Sequence, residues 1–179
     1  EGKQRCKESL QRIMGLTIKP GVPLFGMISR LTSQKGIDLV DKIFVALMER
    51  DLQFVLLGSG ESRYEDFFSH AATQFPGKVG VRIGFDEPLA HQIEAGADIF
   101  LMPSLFEPCG LNQMFSLKYG TIPVVRAVGG LKDTVEDYNA AGSAGTGFVF
   151  EAYEPQELLK AIDRALDLFL DKKSWIALQ

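Results

Sequence analysis

Hydrophobic positions in this chain fall into short apolar runs, each followed by a stretch whose apolar residues recur at helical spacing. Leu24–Ser29, after Pro20-Gly21, predicts strand one. Gln53–Leu57 predicts strand two, Val79–Ile83 strand three and Ile99–Met102 strand four. Ile122–Val125 predicts strand five, and Gly147–Phe150 a short strand six. Between the first two, Ile37, Val40, Phe44, Leu47 and Met48 form an apolar stripe opposite Asp38, Asp41, Lys42 and Glu49. Further helices are predicted over Glu61–Gln74, Glu87–Ala95, Leu111–Tyr119 and Pro155–Leu170. Pro88 is allowed in the first turn of its helix. In the closing helix Leu158, Leu159, Ile162, Leu166 and Phe169 share one side. Ahead of strand one, Lys3–Met14 places Cys6, Leu10, Ile13 and Met14 on one face, and Gly15 stops the helix. Asn139–Gly145 is a Gly/Ala/Ser loop, and Asp171–Gln179 is helix-like.

Strands that alternate with helices imply right-handed βαβ crossovers and a parallel sheet covered on both faces. The predicted fold class is therefore α/β, a Rossmann-like doubly wound parallel sheet of about six strands. The 179 residues are enough for a single domain with a full core. A hydrophobic share of 46% and a charged share of 23% are those of a soluble globular chain. A net charge of −4 argues against wholesale nucleic-acid binding, so an anionic ligand would need a local basic spot. Cys6 and Cys109 are far apart and make no disulfide framework, which makes a reducing cytoplasm the default. No apolar run is long enough to cross a membrane, and no targeting segment is present. The chain opens on Glu1 and stops inside Asp171–Gln179, so it reads as a piece of something longer.

Sheets of this class bind ligands at the carboxyl ends of their strands. Strand one is followed by Ser29-Arg30-Leu31-Thr32-Ser33-Gln34-Lys35-Gly36, strand two by Gly58-Ser59-Gly60, and strand three by Gly84-Phe85. Strand five is followed by Gly129-Gly130. Strand four runs into Pro103-Ser104-Leu105-Phe106-Glu107-Pro108-Cys109-Gly110, and a helix pattern opens at Leu111. A helix start carries unpaired N–H groups and partial positive charge, a natural seat for phosphate. Glu107 and Cys109 just before it could touch whatever the phosphate carries. Together the loops read as a nucleotide-diphosphate site.

Each residue also has a plainer reading. Arg30 and Lys35 either neutralise a diphosphate leaving group or are solvated surface cations. Phe85 either stacks on a base or is a core aromatic. Glu107 either binds sugar hydroxyls or caps the following helix. Cys109 has no partner base nearby, so packing or substrate contact suits it better than nucleophilic attack. Gly58-Ser59-Gly60 lacks the third glycine of a dinucleotide fingerprint, because Arg63 stands there. His70 and His91 lack metal-ligand spacing. No Asp-x-Asp pair is available to hold a metal-bound diphosphate, so cations and the helix dipole would have to neutralise it.

Arg30-Leu31-x-x-Gln34-Lys35-Gly36, Gly84-Phe85 and Met102-Pro103-Ser104-x-Phe106-Glu107-Pro108-Cys109-Gly110-Leu111 resemble segments of bacterial glycogen synthases and plant starch synthases. Gly120-Thr121-Ile122-Pro123-Val124-Val125-Arg126 and Gly129-Gly130-Leu131-x-Asp133-Thr134-Val135 resemble the same family. The likeness covers essentially the whole chain. It implies one half of a two-domain glycosyltransferase of the GT-B type: residues 1–179 as the carboxy-terminal donor-binding domain, with the amino-terminal acceptor domain absent.

The implied reaction is a retaining transfer of glucose from ADP-glucose to the non-reducing end of an α-1,4-glucan, without metal or other cofactor. By that resemblance Arg30 and Lys35 bind the donor phosphates, with backbone N–H groups of Gly110, Leu111 and Asn112. Glu107 contacts the glucose hydroxyls, Cys109 lies beside the sugar, and Phe85 takes the place of an aromatic residue against adenine. Asn112 stands where some members have Thr. Phe115 replaces the second Glu of related Glu-x7-Glu transferases, which favours the glycogen and starch synthase group. The implied setting is a bacterial cytoplasm, or a plastid for a plant parent, with the glucan reached through the missing domain and no nucleic acid or membrane as partner. The fragment alone is expected to transfer no glucose. Two other classes stay open: a non-catalytic Rossmann-like nucleotide- or carbohydrate-binding module, and a sugar-nucleotide transferase or epimerase-like enzyme with a different acceptor.

Overall fold

The computed structural model describes residues 2–138 and 144–179. Residues 139–143, most of the loop predicted over Asn139–Gly145, lie outside the described residues. The strands are β1 (Leu24–Ile28), β2 (Gln53–Gly58), β3 (Val79–Ile83), β4 (Ile99–Met102), β5 (Ile122–Arg126) and β6 (Phe148–Phe150). They form one six-stranded sheet in the order β3-β2-β1-β4-β5-β6, and every pairing in it is parallel. The helices are α1 (Gly2–Ile13), α2 (Ile37–Met48), α3 (Ser62–Gln74), α4 (Glu87–Gly96), α5 (Asn112–Lys118), α6 (Gly129–Thr134), α7 (Pro155–Leu170) and α8 (Lys172–Leu178).

Side chains alternate between two cores. Phe25 and Met27 of β1, Phe54 and Leu56 of β2, and Ile99 and Leu101 of β4 pack with α2, α3 and α7. Leu24, Val55, Leu57, Phe100 and Met102 point the other way, toward Leu10 of α1, Ile93 of α4 and Leu131 of α6. Both faces are buried, which is why these strands read as continuous apolar runs. On the first face Phe44 stands edge-on to Phe54, Phe67 and Phe68 at 5.5–5.6 Å between centroids, a favoured aromatic geometry.

Two elements differ from expectation. The face of α1 that the fold buries is Lys7, Leu10 and Gln11, while Cys6 and Ile13 are exposed. The reason is a buried polar network that apolar periodicity cannot register. Lys7 Nζ pairs with Asp98 at 2.5 Å and donates to the Val22 carbonyl at 2.6 Å. Asp98 in turn accepts from the Leu24 N–H at 2.8 Å. Gln11 donates to Gln53 Oε1 at 2.6 Å. The second difference is α6: Gly129-Gly130 reads as a glycine loop in sequence but opens a helix that runs to Thr134.

Candidate active site

The strand order reverses between β1 and β4, and there the sheet opens. These two strands pair only through Phe25↔Ile99 and Gly26↔Phe100. Beyond that point Met27-Ile28 and Leu101-Met102 diverge and wall a cavity of about 380 Å³. Ser29 and Lys35 close one side; Ser104, Glu107 and Gly110-Leu111-Asn112 close the other.

Two arms carry the charged groups. The first follows β1 as Arg30–Gly36, with a 3-10 turn over Ser33–Lys35. The second follows β4 from Pro103 to Leu111. Gln34 accepts from the Leu105 N–H at 2.9 Å and so binds the arms together. Gly36 permits their approach: its φ is +76°, and a Cβ there would lie 2.1 Å from the Pro103 carbonyl oxygen. The arms deliver Lys35 Nζ to within 2.5 Å of Glu107 Oε2. Glu107 is 8% exposed, so an ammonium and a carboxylate face each other in a site largely shielded from water.

The second arm is supported from below by α5 and α6. Gly130 N donates to the carbonyls of Glu107 and Pro108, each at 3.2 Å. Cβ atoms at Gly129 and Gly130 would lie 2.0 Å from the Glu107 oxygen and 2.1 Å from the Cys109 oxygen. Only glycines allow this contact. Buried Gln113 donates to the carbonyls of Cys109 and Gly110 and to Thr134 Oγ1, each at 3.1 Å. Asn112 Nδ2 reaches across to the Ile28 carbonyl at 3.3 Å. The first helical residue of α5 is Asn112, and Leu111 gives it no side-chain cap, so its first N–H groups depend on another acceptor.

A second, narrower cleft of about 150 Å³ adjoins the first and shares Ile28 and Ser29 with it. Arg30, Gly58-Ser59, Gly84, Phe85 and Asp86 line it. Phe85 is 91% exposed, which removes the core-aromatic reading.

Lys35, Glu107, Gly110, Leu111 and Asn112 therefore meet in one cavity, and Arg30 and Phe85 in its neighbour. The structure does not pair Arg30 with Lys35: Arg30 is exposed and donates to Gln34 Oε1 at 3.3 Å, while Lys35 is bound to Glu107. Cys109 has an exposed free thiol and is absent from the walls of both clefts. His70 is exposed. His91 Nδ1 lies 3.0 Å from Glu94 Oε2, and burial pushes that carboxyl above its ordinary range. Among the described residues no group of three or more His, Cys, Asp or Glu side chains could hold a metal ion, and no helix is long and apolar enough to cross a membrane.

Sequence reasoning gave Gln113 and Tyr153 no role, and treated Arg126 and Thr134 only as parts of matching segments. Gln113, Arg126 and Tyr153 hydrogen-bond backbone carbonyls of the arms, and Thr134 accepts from Gln113; hydrogen bonds of that kind leave no spacing pattern.

A doubly wound parallel sheet with an ammonium–carboxylate pair at its switch point and an exposed aromatic ring beside it makes this a Rossmann-like α/β domain. The family model for Glycosyl transferases group 1 matches residues 13–176, and the chain belongs to that family. The glycogen synthase of Anaeromyxobacter dehalogenans (strain 2CP-1) is 61% identical over 174 residues, 97% of this chain and 36% of that protein. That of Geobacillus stearothermophilus is 54% identical over 175 residues, 98% of this chain and 36% of that protein. The chain thus spans a little over a third of the curated relatives it matches. The catalytic domain of starch synthase IV from Arabidopsis thaliana, solved bound to ADP and acarbose, superposes with a TM-score of 0.90 at 35% identity, covering 99% of this chain and 38% of that one.

Proposed function

We propose that this chain is the donor-binding domain of a retaining glucosyltransferase that moves glucose from ADP-glucose to the non-reducing end of an α-1,4-glucan. The observation that carries the reading is the Lys35–Glu107 pair inside the switch-point crevice, 2.5 Å between charged atoms. Relatives named glycogen synthase, and an ADP-bound starch synthase of the same fold, support the donor and the reaction class.

The geometry supports the following roles. The exposed ring of Phe85 offers a stacking face for adenine in the narrower cleft. The diphosphate runs from there into the larger cavity, between Arg30 at its entrance and Lys35 inside it. The first N–H groups of Gly110, Leu111 and Asn112 face the same anion. When phosphate draws off the Lys35 ammonium, the Glu107 carboxylate becomes free to accept hydrogen bonds from glucose hydroxyls. The anomeric carbon bonds to the terminal glucan hydroxyl oxygen, whose proton leaves with ADP, as its bond to the diphosphate oxygen breaks. Charge grows on that oxygen, and preorganised cations stabilise it there. Cys109 lines neither cleft and would meet only the part of the sugar that projects from the larger cavity. No metal or cofactor enters this scheme, since the cations and the N–H groups supply the neutralisation. The glucan acceptor is held by an amino-terminal domain outside this chain, in the cytoplasm of a bacterial parent or the plastid of a plant one.

The test is glucan elongation from ADP-glucose, assayed for this chain and for a full-length protein built by placing it behind the amino-terminal part of the Geobacillus enzyme. The chain alone is expected to be inactive and the full-length protein active, with Glu107→Ala abolishing turnover. Activity that survives Glu107→Ala contradicts the assignment of Glu107 and favours a site elsewhere.

A further inference from the structure

Arg126 and Tyr153 lie outside the walls of both clefts, yet together they touch both arms. Arg126, the last residue of β5, donates through Nη1 to the Leu105 carbonyl at 2.9 Å and to the Ser104 carbonyl at 3.3 Å. Those carbonyls precede Glu107 on an arm with no regular secondary structure between β4 and α5. The Arg126 guanidinium is 5.4 Å from the centre of the Tyr153 ring. The Tyr153 hydroxyl lies 2.8 Å from the Ser33 carbonyl and 2.5 Å from Asp38 Oδ1. Ser33 opens the 3-10 turn that ends at Lys35, and Asp38 is in the first turn of α2, just beyond it. The Ser33 hydroxyl is also pinned, 2.9 Å from the Tyr64 hydroxyl.

We propose that Arg126 and Tyr153 are positioning residues, a strut that fixes the Lys35 arm and the Glu107 arm relative to each other. This rests on the donor-site reading given above. The guanidinium couples the arms, because its Nη1 holds two carbonyls of one arm while it lies over the ring whose hydroxyl holds the other. Removing either member leaves each arm folded and the Gln34–Leu105 bond in place, but loosens the distance between Lys35 and Glu107. A diphosphate and a sugar bound across the two arms are sensitive to that distance.

The experiment uses Tyr153→Phe, which removes the hydroxyl and keeps the ring, and Arg126→Lys, which keeps the charge and loses the fork. Amide hydrogen exchange is measured over 33–36 and 103–107, and calorimetry compares ADP with AMP. In Tyr153→Phe, exchange is expected to rise in both segments, although the hydroxyl touches only the first. ADP affinity is expected to fall about threefold to tenfold, the scale of one lost hydrogen bond, with a smaller loss for AMP and a melting temperature lower by about 2–4 °C. Exchange that rises only in 33–36 overturns the strut, because the residue would then act locally. Should Arg126→Lys fail to fold, Tyr153→Phe decides alone. A wild-type chain that binds no ADP refutes the donor-site reading, and the exchange result still decides the coupling.

Discussion

Lys35 Nζ and Glu107 Oε2 stand 2.5 Å apart although 72 positions separate them in sequence. Each comes from a different strand of the switch point, so the pair forms only when β1 and β4 lie side by side and their loops are tied. Each group serves as the other's counter-charge in the unliganded chain. In the proposed function the same pair is where the donor enters.

Breaking it without ligand should therefore be measurable. Lys35→Ala leaves a carboxylate with about a tenth of its surface exposed and no partner. The expected loss is about 1–3 kcal/mol by urea denaturation. Lys35→Met combined with Glu107→Gln should lose less than the two single changes together, because no unpaired charge remains. Strict additivity would show the groups to be independent.

Phe85→Ala should separate binding from folding. The ring is 91% exposed, so the melting temperature should stay within about one degree. Nucleotide affinity should fall by about 1–3 kcal/mol, the usual value of base stacking on an aromatic. Phe85→Tyr should bind like the wild type. A lower melting temperature with unchanged affinity would place Phe85 in the scaffold instead.

Gly130→Ala tests the floor of the Glu107 arm. The new Cβ would meet the Cys109 carbonyl oxygen at 2.1 Å, a backbone atom that no rotamer change can move aside. Destabilisation of about 1–3 kcal/mol is expected, typical of overpacking, together with weaker ADP binding as the arm shifts. Calorimetry and thermal melts on the same samples read both effects, and an unchanged pair of values would mean that α6 does not support the arm.

One pH effect follows from α1. Burial lowers the Lys3 ammonium from the ordinary 10.5 to about 8, partly offset by Asp98. The folded chain thus releases this proton before the unfolded chain does. The stabilising contribution is complete above 10.5 and is lost as the pH falls through 8. Wild-type protein should gain melting temperature relative to Lys3→Met between pH 7 and about pH 10. A constant difference across that range would mean that Lys3 is fully solvated.

How much of this was legible in the sequence depended on the kind of signal. The strands were, because apolar runs buried on both faces cannot be mistaken when helices of 3.6-residue period separate them. Glu107 and Lys35 were singled out by their places after strands four and one. Their direct pairing was not, since it depends on the Gln34–Leu105 bond between arms and on the fit of Gly36 against Pro103. Arg30 looked equivalent to Lys35, but it points to the neighbouring cleft because the chain turns between them. Lys7 and Gln11 defeated the pattern entirely: they are polar residues buried by partners far away in sequence. Arg126 lies at the end of a predicted strand, where its two backbone acceptors on another loop are invisible to any periodicity.

The most direct test of the central claim is calorimetric titration of ADP and UDP into this chain and into Lys35→Ala. ADP binding in the wild type that weakens about tenfold or more in Lys35→Ala, the value of a hydrogen bond to a charged group, is the predicted result. ADP binding that Lys35→Ala leaves unchanged would contradict the account, because the crevice between β1 and β4 would then not be where the diphosphate sits.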